Sequence, residues 1–180
     1  AQIQGFYDIP VDHLYAKPVL LERIEQLSIE DPLIVSPDVG GIKMARSYAK
    51  ALGGADLAIV DKRRISGSEI AVEHIIGEVA DRSVIIVDDM IATGGSIAEA
   101  SRIVREKGAR EIVLACSHGV FAGPAVERLN GCPATKILVT DSIPARSAVP
   151  ERLEYVTVAG LFANAIRNIH ESKSVSSLFN

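Results

Sequence analysis

Val84-Ile85-Ile86-Val87-Asp88-Asp89-Met90-Ile91-Ala92-Thr93-Gly94-Gly95-Ser96-Ile97 is the stretch on which the fold turns. Four consecutive β-branched residues, Val84 to Val87, suit a central strand covered on both faces. The run stops at two acids and a small-residue loop, Asp88 to Ser96. A helical period follows, with apolar Ile97, Ala100, Ile103 and Val104 ahead of a stop at Gly108. Strand, loop and helix in that order are the repeating unit of a parallel sheet.

Upstream the unit occurs again. Leu33-Ile34-Val35 follows Pro32 as a strand, Ser36 to Gly41 turns, and Ile42, Ala45, Tyr48, Ala49 and Leu52 mark one helix face. Gly53 and Gly54 end that helix, because glycine takes the left-handed cap without a steric penalty. Leu57 to Val60 is the next strand, followed by a polar loop, Asp61 to Ser68. Residues 69–79 fit neither the strand nor the helix period cleanly and are assigned to strand. Downstream, Ile112–Cys116, Ile137–Thr140 and Tyr155–Val158 read as further strands. A last helix carries Leu161, Phe162, Ala165, Ile166 and Ile169, a wide apolar face suited to covering a sheet. The expected fold class is α/β, a mostly parallel central sheet flanked by helices.

With 180 residues the chain can build one domain with a substantial core. A net charge of -4, from 19 basic and 23 acidic residues, argues against nucleic acid or an anionic membrane surface as partner. Cys116 and Cys132 stand far apart with no CxxC or Cys/His cluster, which points to neither zinc nor a disulfide framework and favours a reducing, cytoplasmic setting. The start, AQIQGFYDIP, lacks the order of a signal peptide, and no apolar run reaches membrane-spanning length.

In an open α/β sheet, ligands bind beyond the carboxyl ends of the strands, where Asp88 to Ser96 is expected. Thr93-Gly94-Gly95-Ser96 lets the backbone bend tightly, so that amides entering the next helix can converge on an anion with help from the helix dipole. Asp88 and Asp89 cannot serve that anion. They can accept hydrogen bonds from vicinal hydroxyls, directly or through a metal ion. One loop could hold a phosphate and a sugar diol together. The competing reading is purely structural: Ser96-Ile97-Ala98-Glu99 has the form of a capping box, and Gly94-Gly95 that of a turn. Paired acids before TGGS exceed what turn chemistry requires.

Taken together, VDDMIATGGS resembles the phosphoribosyl pyrophosphate loop of phosphoribosyltransferases and pyrophosphokinases. Ser36-Pro37-Asp38-Val39-Gly40-Gly41, Asp61-Lys62-Arg63-Arg64, the ending ESKSVSSLFN and the opening QIQGFYDIPVDHLYA resemble the ribose-phosphate pyrophosphokinase family, specifically its C-terminal half. The resemblance implies a phosphoribosyltransferase-like fold and transfer of diphosphate from ATP to ribose 5-phosphate with Mg2+, in a cytoplasmic homo-oligomer. It makes Asp38 a magnesium-associated acid and Lys62 the catalytic lysine. Arg64 becomes a second catalytic cation that also contacts the sugar phosphate. Asp88, Asp89, Ala92, Thr93, Gly94, Gly95 and Ser96 become the ribose-5-phosphate site. It further implies that residues 1–15 connect from an N-terminal domain, that 16–171 form the phosphoribosyltransferase-like domain, and that 172–180 return to the missing domain. A chain of this extent is then expected to be inactive alone. The chain departs from the family at Ala92, where an acid is usual, and at Ile65-Ser66-Gly67. Two other readings stay open: a nucleobase phosphoribosyltransferase, which uses the same loop, and a non-catalytic regulatory homologue. Outside this set, His118 is expected to be a hydrogen-bonded structural residue and Cys116 a small buried hydrophobe.

Overall fold

The computed structural model describes residues 2–63 and 72–179. Seven strands form one sheet in the order β3-β2-β1-β4-β5-β6-β7. They are β1 (Pro32–Ser36), β2 (Leu57–Arg63), β3 (Val72–Ile76), β4 (Ser83–Ile91), β5 (Glu111–Gly119), β6 (Lys136–Thr140) and β7 (Leu153–Val156). All neighbouring pairs run parallel except β2 with β3, an antiparallel pair at one edge that sets Ile59 opposite Ile76. A parallel sheet needs helical crossovers on its faces. These are α2 (Ile42–Ala51), α3 (Gly95–Glu106) and α4 (Ala125–Asn130), with α1 (Lys17–Gln26) before the first strand and α5 (Ala159–His170) after the last.

Side chains alternate between two cores along each strand, as the pleat requires. Ile34, Ile85, Val87, Val113 and Leu138 pack with Leu20 and Ile24 of α1 and Ala45, Tyr48 and Ala49 of α2. Val35, Val84, Ile86, Leu114 and Val139 pack on the other face with Ile97, Ala100 and Val104 of α3 and Ala125 and Leu129 of α4. Burial on both faces explains the unbroken β-branched run at Val84 to Val87. An ion cluster closes the β7 edge, where Glu154 pairs with Arg23 of α1 and accepts from Lys136 of β6 at 2.8 Å.

Strand positions from sequence hold, with shifts of extent. Asp61, Lys62 and Arg63 continue β2 rather than opening a loop. Asp88 to Ile91 likewise belong to β4. The last strand lies at Leu153–Val156, two residues early. Of residues 69–79, 72–76 form a strand and 69–71 lie outside the described residues, as do Arg64 and the rest of the loop to Ser68. The stops at Gly53, Gly54 and Gly108 are confirmed by φ of 73°, 82° and 90°.

Two expectations fail. Helix α5 does not lay a wide apolar face on the sheet: only Ala165 is buried, while Phe162 and Ile166 are 51% and 65% exposed. The reason is order in the sheet. β7 is an edge strand, and the faces of the central strands are already covered by α1 to α4. The capping box also fails, because the N-cap is Gly94, which has no side chain to cap with, and Ser96 falls in the first turn. No helix among the described residues is long and apolar enough to cross a membrane.

Candidate functional site at the sheet's switch point

The strand order places the chemistry. From β1 the chain crosses through α2 to β2 on one side, whereas from β4 it crosses through α3 to β5 on the other. Between the carboxyl ends of β1 and β4 the two loops therefore diverge and open a crevice, the usual ligand position in such sheets. The Ser36–Gly41 turn flanks it on one side and Asp88 to Ser96 on the other.

On the β1 side the turn is tied by its own side chains. Ser36 Oγ donates to the Asp38 carbonyl at 2.6 Å, and Asp38 Oδ1 accepts the Gly41 amide at 3.0 Å. A Cβ at Gly41 would come within 2.7 Å of Ser36 Oγ, so only glycine fits there. Asp38 is thus a turn aspartate, and it is also an exposed carboxylate facing the crevice. Its charge acts on Asp88 across the gap.

On the β4 side Asp88 is half-buried and Asp89 exposed. Asp88 Oδ1 accepts the Asp89 amide at 2.8 Å. Burial, reinforced by the charges of Asp89 and Asp38, pushes the Asp88 carboxyl up to about 6, with the amide bond opposing. Three acids held this close favour a bound cation or the hydroxyls of a ligand. Among the described residues no three His, Cys, Asp or Glu side chains meet as a metal cage.

The loop that follows is held from behind through its carbonyls. Ile91 O accepts from the amides of Val120 at 3.0 Å and Phe121 at 3.2 Å, and Ala92 O accepts from Ala122 at 2.8 Å. Thr93 O accepts from Arg128 Nη1 at 3.0 Å. Gly94 O accepts the Ala98 amide as the helix starts. The amides of Thr93 and Gly94, in contrast, have no carbonyl partner among the described residues. Gly94 sits at φ 71°, which glycine adopts without strain, and a Cβ on it would lie at an ordinary contact distance, 3.4 Å, from Ala125 O of α4. Ala92, Thr93 and Ser96 are exposed on the outer side. Bonded carbonyls, amides without a carbonyl partner among the described residues and a helix N-terminus beneath are the ingredients from which an anion cradle can be made.

The structure therefore brings Asp38, Asp88, Asp89 and residues 92–96 to one crevice. Lys62 lies on β2, next to β1 in the sheet, near the carboxyl end of its strand. Arg64 is outside the described residues. His118 Nδ1 is hydrogen-bonded to Ser142 Oγ at 2.8 Å, and Cys116 is fully buried, with its thiol pushed up by burial. Sequence reading missed the segment from Val120 to Arg128 that ties the loop, and nothing in the local spacing of those residues signals a partner some thirty positions upstream.

The crevice at the switch point of a mostly parallel sheet is shared with many α/β proteins, and the solved structures that superpose on this chain make its fold phosphoribosyltransferase-like. A purine phosphoribosyltransferase from Pyrococcus horikoshii superposes with a TM-score of 0.50 at 25% identity over 78% of each chain. The likeness to a phosphoribosylpyrophosphate synthetase from Mycobacterium smegmatis is greater, with a TM-score of 0.84 and 38% identity over 95% of this chain and 56% of that one. A ribose-phosphate pyrophosphokinase from Gloeobacter violaceus is 46% identical over 99% of this chain and 54% of its own length. The chain thus spans about half the length of the curated relatives it matches, aligned with their C-terminal part. Residues 70–180 match the phosphoribosyl synthetase-associated domain family, and the chain belongs to that family.

Proposed function

We propose that this chain is the ribose-5-phosphate-binding portion of a ribose-phosphate diphosphokinase. The observation that carries the reading is the loop in which the carbonyls of residues 91–93 are all bonded from behind while the amides of Thr93 and Gly94 stay open beside Asp88 and Asp89. The 5-phosphate sits on the amides of residues 93–96, and Asp88 and Asp89 accept hydrogen bonds from the ribose diol. Ala92 takes part through its backbone alone.

In the parent reaction the anomeric oxygen of ribose 5-phosphate attacks the β-phosphorus of ATP. It loses its proton as the new P–O bond forms, and AMP leaves with the bond between the α- and β-phosphates broken. Phosphoryl transfer of this type depends on positioning and on cations that neutralise charge shifting between phosphates. Lys62 and Arg64 supply such cations. Mg2+ suits the donor set, since it takes one or two carboxylates and completes its shell with phosphate oxygens and water, and it would neutralise phosphate charge when bound. Asp38 would hold it, directly or through water. In this reading ATP and ribose 5-phosphate are the partners, the assembly is a homo-oligomer and the compartment is the cytoplasm.

The division of labour is open to test. Asp88→Ala with Asp89→Ala should weaken ribose 5-phosphate binding about tenfold or more while leaving inorganic phosphate binding unchanged, because only the diol contacts are lost. Calorimetric titration with both ligands reads this directly. Equal loss for both would mean that the acids shape the loop rather than read the sugar.

A further inference from the structure

Among the arginines of the described fold, Arg128 is bonded to the phosphate loop, and, like Arg46, Arg146 and Arg167, it has no ion pair among the described residues. Arg23, Arg82 and Arg102 are each paired with carboxylates. Arg105 and Arg152 spend their guanidinium groups on several carbonyls, and Arg110 donates to Ser83. Arg128, exposed on α4, makes one bond, from Nη1 to Thr93 O at 3.0 Å, and none of the ion pairs among the described residues includes it. The same Nη1 lies 3.4 Å from where a Cβ on Gly95 would stand. A charged guanidinium with most of its donors uncommitted is therefore fixed against the first residues of the phosphate loop.

We infer that Arg128 is a positioning residue for the phosphate site, holding the Thr93 carbonyl and supplying an unpaired positive charge behind the loop. The inference rests on the proposed role of residues 93–96 as the phosphate cradle.

Two physical effects follow from the contact. The Thr93 carbonyl carries a partial negative charge next to the place where an anion would bind. A charge-assisted bond from a guanidinium draws that density away and fixes the peptide plane, which orients the Gly94 amide. Second, the cation has no carboxylate ion-pair partner among the described residues, so its field adds to the helix dipole at the start of α3. The arrangement spans two elements distant in sequence. The neighbouring bonds from Val120, Phe121 and Ala122 set the loop's path but bring no charge.

Three variants separate these contributions. Arg128→Lys keeps the charge, Arg128→Gln keeps an N–H for the carbonyl without the charge, and Arg128→Ala removes both. Ribose 5-phosphate and unphosphorylated ribose are titrated into the 180-residue chain at low and high salt, with the amide resonances of residues 93–96 followed by NMR and thermal unfolding recorded for each variant. Arg128→Ala should weaken ribose 5-phosphate binding about tenfold, a loss the size of a charge-assisted hydrogen bond, with Arg128→Gln intermediate and Arg128→Lys near wild type. The wild type should lose affinity with added salt more steeply than Arg128→Gln. Ribose binding should be the same in all four proteins. If the wild type perturbs residues 93–96 on binding but Arg128→Gln and Arg128→Ala bind ribose 5-phosphate as tightly as it does, the inference is overturned and the phosphate cradle stands. If the wild type binds ribose 5-phosphate without perturbing those amides, or does not bind it, the cradle fails and the inference with it. A uniform loss in every variant that follows a drop in unfolding temperature assigns Arg128 to the fold alone and also overturns the inference.

Discussion

Asp88 carries the tension between stability and function in this site. Its carboxyl is pushed from an ordinary 3.8 up to about 6 by burial first, and then by Asp89 and Asp38. Because the folded value lies above the unfolded one, folding favours the protonated form. The group's contribution is fully present below about pH 4 and is lost as pH rises through about 6. At neutral pH the ionised side chain opposes folding, and the cation or sugar hydroxyls proposed to bind there would compensate it. Asp88→Asn keeps the shape and removes the charge. Its thermal midpoint should therefore exceed that of the wild type by a margin that is small at pH 4, grows to about pH 7 and then levels off, while ribose 5-phosphate binding falls. Unfolding scans of both proteins over that range check the sign; a margin independent of pH would show that Asp88 is not strained by its neighbours.

At the scale of elements, the unit β4–loop–α3 depends on α4, which closes on it from behind. Gly94 occupies a left-handed conformation, and a Cβ on it would only make ordinary contacts with Ala125 and Leu129, so the cost of a side chain there is conformational. Gly94→Ala should cost about 1–2 kcal/mol from backbone conformation alone, seen as a lower denaturant midpoint at unchanged slope. A midpoint equal to the wild type would mean that the loop relaxes freely and is not pre-shaped. Much of this unit was legible in sequence. A β-branched run buried on two faces, two acids at its end and a glycine pair before an amphipathic period have few other solutions. What sequence misplaced was local: the N-cap is Gly94, two residues ahead of the Ser96 that the capping pattern favoured, because Gly94 can turn left-handed. What it missed was non-local. The bonds from residues 120–128 to the loop arise only once β5 lies beside β4. Helix α1, with Pro18 in its first turn and Leu20 and Ile24 buried, left a periodic signal in sequence that went unread beside the stronger strand pattern.

For the whole molecule, the sheet order matters more than any single contact. It sets the Asp38 turn and the Asp88–Ser96 loop on either side of one crevice, and it leaves β7 and α5 at an edge. There Phe162, Ile166 and Ile169 remain more than half exposed. A helix face of that character was expected from its period to cover a sheet, and the period was read correctly. The assignment of its partner failed because periodicity gives a face and not what lies against it. Near the other end of the chain, Ile3, Phe6, Tyr7, Ile9 and Tyr15 are also exposed. The two core layers and the loops at residues 36–41 and 88–96 are formed without these surfaces, so the proposed sugar-phosphate site should form in this chain by itself. The most direct test is a crystal structure of the 180-residue chain with saturating ribose 5-phosphate. The account predicts the phosphate within hydrogen-bonding distance of the amides of residues 93–96, with the diol on Asp88 and Asp89. Phosphate bound elsewhere, with this loop empty, would contradict it.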